Sequence, residues 1–144
     1  MKVQVIGCNH HTTDIEFRER LAFQPNQVPD ALDRFQRMHP GTEAVLLSTC
    51  NRVELYTASE KSAVCPSHEE VVDFFAAYHG LNATDIASEL RQLSGEEAIR
   101  HLFTTAASLD SMVVGEAQIL SQVKQAYEMA VSYTHLTLPT NREV

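Results

Sequence analysis

Apolar and polar residues alternate from Lys2 to Cys8, with Val3 and Val5 on one side of an extended chain, so the protein is expected to open with a strand. Between Asn26 and Met38 the period lengthens to that of a helix. Val28, Ala31, Leu32, Phe35 and Met38 recur at helical spacing, and Pro29 falls in the first turn, where proline is tolerated. Pro40-Gly41 then breaks the pattern. Two strands are expected at 43–48 and 53–58, separated by the polar turn Ser48-Thr49-Cys50-Asn51-Arg52. Ser67-His68-Glu69-Glu70 has the form of a capping box ahead of Val71, Val72, Phe74, Phe75 and Tyr78, and Gly80 suits the end of that helix. A short strand is expected near 89–93. The order β-α-β-β-α-β predicts an α+β fold of ferredoxin-like arrangement.

A second capping-box pattern, Ser94-Gly95-Glu96-Glu97, opens a helix whose apolar stripe is expected to be Ile99, Leu102, Phe103 and Ala106. A further helix is expected from about Glu116, carrying Ile119, Leu120, Val123, Ala126, Tyr127 and Ala130 at period 3.6. Residues 1–93 are thus read as a ferredoxin-like subdomain. Residues 94–131 are read as a helical subdomain packed against it. The pattern is lost over 132–144, and this segment is set apart as a non-native tail.

Composition narrows the class. With 144 residues, 44% of them hydrophobic and 21% charged, the chain is sized for one medium domain or two small subdomains sharing an interface. No apolar run approaches the roughly 20 residues that span a bilayer, and the start lacks a signal-peptide pattern. Three cysteines without framework spacing suit free thiols in a reducing cytosol. A cytoplasmic protein without membrane contact is expected. The net charge of −8 argues against a generic nucleic-acid binder, although Arg18, Arg20, Arg34 and Arg37 are close enough in sequence to form a local basic patch. Solvated surface charge is the other reading of these four. Glycines at 7, 41, 80, 95 and 115 form neither a dinucleotide-binding nor a P-loop signature.

Cys50 is the residue on which the chemistry turns. A thiol at the break between two buried strands is firmly held yet can be reached from outside. Arg52, two residues on, favours thiolate over thiol and carries a fork that suits a carboxylate. This pairing points to covalent work on an acidic acyl substrate, against the plainer reading of a small apolar residue ending a strand.

The segment Ser48-Thr49-Cys50-Asn51-Arg52-Val53-Glu54-Leu55-Tyr56 resembles the active-site segment of glutamyl-tRNA reductases, which open the C5 route to tetrapyrroles. Two further blocks agree, in the order that family shows. One is Gly7-Cys8-Asn9-His10-His11-Thr12-Thr13 leading to Arg18-Glu19-Arg20-Leu21-Ala22-Phe23. The other is His101-Leu102-Phe103 followed by Leu109-Asp110-Ser111-Met112-Val113-Val114-Gly115-Glu116-Ala117-Gln118-Ile119-Leu120. The resemblance implies that Cys50 attacks the ester of glutamyl-tRNA to form a thioester, which NADPH reduces to glutamate-1-semialdehyde. It implies Arg52 as the partner of a glutamyl carboxylate, His101 as general acid/base, and Thr49, Ser111 and Gln118 as substrate contacts. The family's NADPH belongs to the full-length enzyme, and this chain is expected to bind none and to perform acyl transfer or deacylation only. The resemblance further implies glutamyl-tRNA as partner, a homodimeric full-length enzyme, and contact with the aminomutase that acts next.

Two rival readings stand beside this one. The first is a non-catalytic module of the same fold that binds tRNA or a protein partner. The second is a zinc site built from Cys8, His10, Cys65 and His68, whose spacing is not that of common structural sites.

Overall fold

The alternation at the start of the chain becomes the middle of a sheet. A computed structural model describes residues 2–108. It contains strands β1 (Lys2–Asn9), β2 (Thr42–Ser48), β3 (Arg52–Ser59) and β4 (Arg91–Ser94), in the order β2-β3-β1-β4. Each neighbouring pair is antiparallel. Helices α1 (Ile15–Leu21) and α2 (Val28–Met38) link β1 to β2, whereas α3 (His68–His79) and α4 (Ala83–Ile86) link β3 to β4. Helix α5 (Glu96–Ser108) follows the last strand. The ferredoxin-like order expected from the sequence is present, with an additional short helix in each crossover.

Both faces of the sheet are covered, which is why β1 is buried along almost its whole length. Ile6, Cys8, Val53 and Leu55 pack with Phe35, Val71 and Phe75 beneath the first four helices. Val3, Val5, Val45 and Tyr56 pack on the opposite face against Ala98 and Leu102 of α5. Helix α3 has the full capping box: Ser67 accepts from the Glu70 amide at 3.1 Å and Glu70 accepts from the Ser67 amide at 2.9 Å. Gly80, at φ +67°, ends this helix in the left-handed region. Among the described residues no helix is long and apolar enough to cross a membrane.

Four features depart from the sequence reading. Helix α1 was not expected. Asp14 starts it by accepting from the Phe17 amide at 2.9 Å, and Phe17 and Leu21 anchor its buried side. Helix α4, one turn capped by Asn82, also lay below the length at which periodicity is visible. Helix α5 begins differently from the expected capping box. Ser94 remains in the sheet opposite Gln4, and Gly95, at φ +63°, turns the chain so that its carbonyl accepts from the Ile99 amide.

The basic patch does not form either. Arg34 and Arg37 pair with Asp30 and Asp33 one helical turn earlier, Arg20 lies over the Phe17 ring, and Arg18 is buried. The helix expected from Glu116, the tail at 132–144, and Ser111 and Gln118 lie outside the described residues.

Candidate active site

Cys50 sits in the three-residue connection from β2 to β3 and is the one exposed cysteine of the three. The turn is tied at several points. The Thr49 amide donates to the Arg52 carbonyl at 2.8 Å, and the Asn51 amide donates to the Thr49 hydroxyl at 3.1 Å. Thr49 therefore stabilises the turn by accepting, which leaves its own hydroxyl proton for another acceptor. The His10 amide donates to the Asn51 carbonyl at 2.8 Å, which joins the turn to the loop after β1. From beneath, Arg18 Nε donates to the Cys50 carbonyl at 3.1 Å and Arg18 Nη1 donates to the Thr13 carbonyl at 2.5 Å.

The other two thiols are less accessible. Burial pushes the Cys8 thiol up, and Cys65 is raised for the same reason. The zinc alternative does not assemble. Cys8 faces the helix-covered core, Cys65 lies against the Pro66 carbonyl, and the His68 ring bonds the Leu90 carbonyl. No three metal-ligating side chains converge among the described residues.

On the α5 face, strand alternation points Arg52, Glu54 and Tyr56 the same way. Glu54 is the centre of the resulting network. One of its oxygens, Oε1, accepts from Tyr56 Oη at 2.9 Å and from Arg52 Nη1 at 3.2 Å. The other, Oε2, lies 2.7 Å from His101 Nε2. Arg52 Nη1 also donates to Thr105 Oγ1 at 3.2 Å, so α5 is fastened to β3 at two positions. Burial raises the Glu54 carboxyl, but the His101 hydrogen bond and charge, the Tyr56 hydroxyl and Arg52 together outweigh it and hold the group below its ordinary range. Tyr56 shifts upward, through burial and the Glu54 charge, and stays a phenol that donates. With Glu54 ionised, His101 Nε2 must carry the proton in this bond. In the neutral ring the basic lone pair is then on Nδ1.

A cleft of about 230 Å³ opens beside this network, lined in part by Gly7, Asn9, His11, Glu54, Arg91 and His101. Its shape follows from register. Glu54, Gly7 and Arg91 lie opposite one another on three adjacent strands, and the middle position has no side chain. A Cβ at Gly7 would collide with the Val53 carbonyl and approach Glu54 Cα to 2.7 Å, so only glycine fits there. Cys50 does not line this cleft; it is joined to its rim through the His10–Asn51 bond.

The structure thus brings Arg52 and His101 together through a shared partner. Arg52 is already paired with Glu54, and its side chain is only 11% exposed, a departure from the free carboxylate clamp expected from the sequence. His101 is half-buried and faces the sheet. Sequence reasoning missed Glu54 and the role of Arg18. The i, i+2 spacing of Arg52, Glu54 and Tyr56 in a buried strand was the available signal for the first.

The family model described as "Glutamyl-tRNAGlu reductase, N-terminal domain" matches residues 6–142. The chain belongs to the glutamyl-tRNA reductase family. A glutamyl-tRNA reductase of Rhodopirellula baltica is 46% identical over 130 residues, covering 90% of this chain and 30% of that protein. One from Shewanella oneidensis is 39% identical over 144 residues, covering 99% of this chain and 33% of its own length. The solved glutamyl-tRNA reductase from Methanopyrus kandleri superposes with a TM-score of 0.54 at 31% identity, covering 90% of this chain and 28% of that one. The family match runs into the segment 132–144, and the chain spans about a third of the length of these relatives.

The described residues do not fit the NADPH that the family implies. Gly41, Gly80 and Gly95 have positive φ at separate single turns, and Gly7 lies inside a strand. Among the described residues no glycine-rich turn between a strand and a helix is available to cradle a pyrophosphate.

Proposed function

We propose that this chain carries the acyl-transfer site of a glutamyl-tRNA reductase, with Cys50 as nucleophile. The observation that carries the reading is the Cys50 turn itself. It holds an exposed thiol in a backbone fixed by bonds from Thr49, His10 and Arg18, while the other two thiols are raised by burial. The Cys50 sulfur attacks the carbonyl of the ester joining glutamate to the terminal ribose of the tRNA. A C–S bond forms, the C–O bond breaks, and the ribose oxygen leaves with a proton. His101, held by Glu54 through Nε2, moves that proton at Nδ1. Arg52 binds the glutamyl carboxylate by sharing a guanidinium already anchored to Glu54 and Thr105. Thr49, with Ser111 and Gln118, contributes substrate hydrogen bonds.

The reading of residues 94–131 as the unit that completes this site is supported by α5, which supplies His101 and Thr105 to the network. Left without a hydride donor, the thioester is captured by water, and the net outcome is slow release of glutamate from glutamyl-tRNA. The test is mass spectrometry of the protein after incubation with glutamyl-tRNA. A glutamyl adduct is expected on Cys50 and is lost in Cys50→Ser, whose hydroxyl is far less ionised near neutral pH. An adduct on Cys8 or Cys65 instead would overturn the assignment.

A further inference from the structure

Arg18 is a buried cation whose backbone bonds tie the Cys50 turn and whose charge the reading above leaves without a role. It is 8% exposed, and among the described residues it has no carboxylate within ion-pair distance. Its partners are two backbone carbonyls, those of Cys50 and Thr13, which belong to separate loops. A buried guanidinium ordinarily has an acidic partner, because an uncompensated charge is costly to desolvate. Here the cost is met by two carbonyl dipoles, and among the described residues no carboxylate pairs with the positive charge beneath Cys50. The contrast with Arg52 is direct, since Glu54 already balances that residue.

We propose that Arg18 is a positioning residue for the acceptor thiol, acting in two ways. Its fork fixes the Cys50 backbone against the loop after β1, and its charge, without a carboxylate partner among the described residues, favours anionic groups at that turn. The proposal rests on the reading of Cys50 as nucleophile, and it specifies what holds that nucleophile. Negative charge develops at this place when sulfur is ionised and when the ester carbonyl becomes tetrahedral. A fixed cation beneath the turn stabilises both without having to reorganise.

The two contributions separate experimentally. A lysine at this position keeps a charge but cannot reach two divergent carbonyls with one ammonium geometry, whereas methionine keeps only the bulk. The full chain and its Arg18→Lys and Arg18→Met variants are alkylated with iodoacetate, which is anionic, and iodoacetamide, which is neutral. Peptide mass spectrometry gives the rate ratio at Cys50, with Cys65 as internal reference. In Arg18→Met the iodoacetate preference at Cys50 is expected to fall several-fold, with Cys65 unchanged. Arg18→Lys is expected to keep most of that preference, yet to accept the glutamyl group from glutamyl-tRNA at least tenfold more slowly than the parent.

An unchanged ratio in Arg18→Met, or parental acylation by Arg18→Lys, would overturn the proposal. Circular dichroism and melting report folding; if Arg18→Met does not fold, Arg18→Lys decides alone. Loss of folding in both would make Arg18 a residue of the fold only, which also overturns it. Should the parent chain accept no glutamyl group, the acyl-transfer reading fails, while the alkylation ratio still tests the charge at Cys50.

Discussion

Glu54 shows how one side chain can organise a site that its neighbours suggest. Its position two residues from Arg52 and two from Tyr56 put all three on one face of β3, and that much was readable from alternation. Its partner on α5 was not. The carboxylate is 3% exposed and accepts from three side chains, so removing its charge strands Arg52 in a buried setting. Glu54→Gln is therefore expected to cost about 3 kcal/mol at neutral pH, measured by chemical denaturation. The folded carboxyl lies below its ordinary value of 4.5, so its contribution is fully present above that pH and is lost as pH falls through the folded value. The gap between parent and variant should accordingly narrow in acid. A gap that widens below pH 4.5 would contradict this account.

At the scale of the element, α5 is the instructive case. Its existence and start were legible within a residue or two, but its orientation only in part. Of the expected stripe of Ile99, Leu102, Phe103 and Ala106, Leu102 is buried against the sheet and Ile99 packs beside it, whereas Phe103 is 42% exposed. Ala98 and Thr105, smaller or polar and outside that stripe, complete the buried side. Ala98 is fully buried, and its small side chain lets α5 approach β1 and β4 closely enough for His101 to meet Glu54. Ala98→Leu should overpack this contact, at a cost of about 1–3 kcal/mol. It should also move the His101 side-chain resonances, which nuclear magnetic resonance would detect. An unshifted His101 in a stable variant would show that close approach at Ala98 is not what sets the helix.

For the whole molecule, the sheet needs both of its layers. Val3, Val5, Val45 and Tyr56 have α5 as their cover, so a chain ending at Gly95 would present that apolar face to water. Such a chain is expected to bind a hydrophobic dye strongly or to precipitate. A soluble, dye-silent product with parental melting would refute the two-layer account. By itself the sequence determined the order of the principal elements, the α3 cap and the placing of Cys50 at a break between strands. Each of these depends on residues within a few positions of one another, where periodicity and capping act. The tertiary structure alone decided that Arg18 reaches the Cys50 carbonyl across 32 positions and that His101 reaches Glu54 across 47. Those meetings depend on strand register, helix rotation and the absence of a side chain at Gly7, none of which a local pattern encodes.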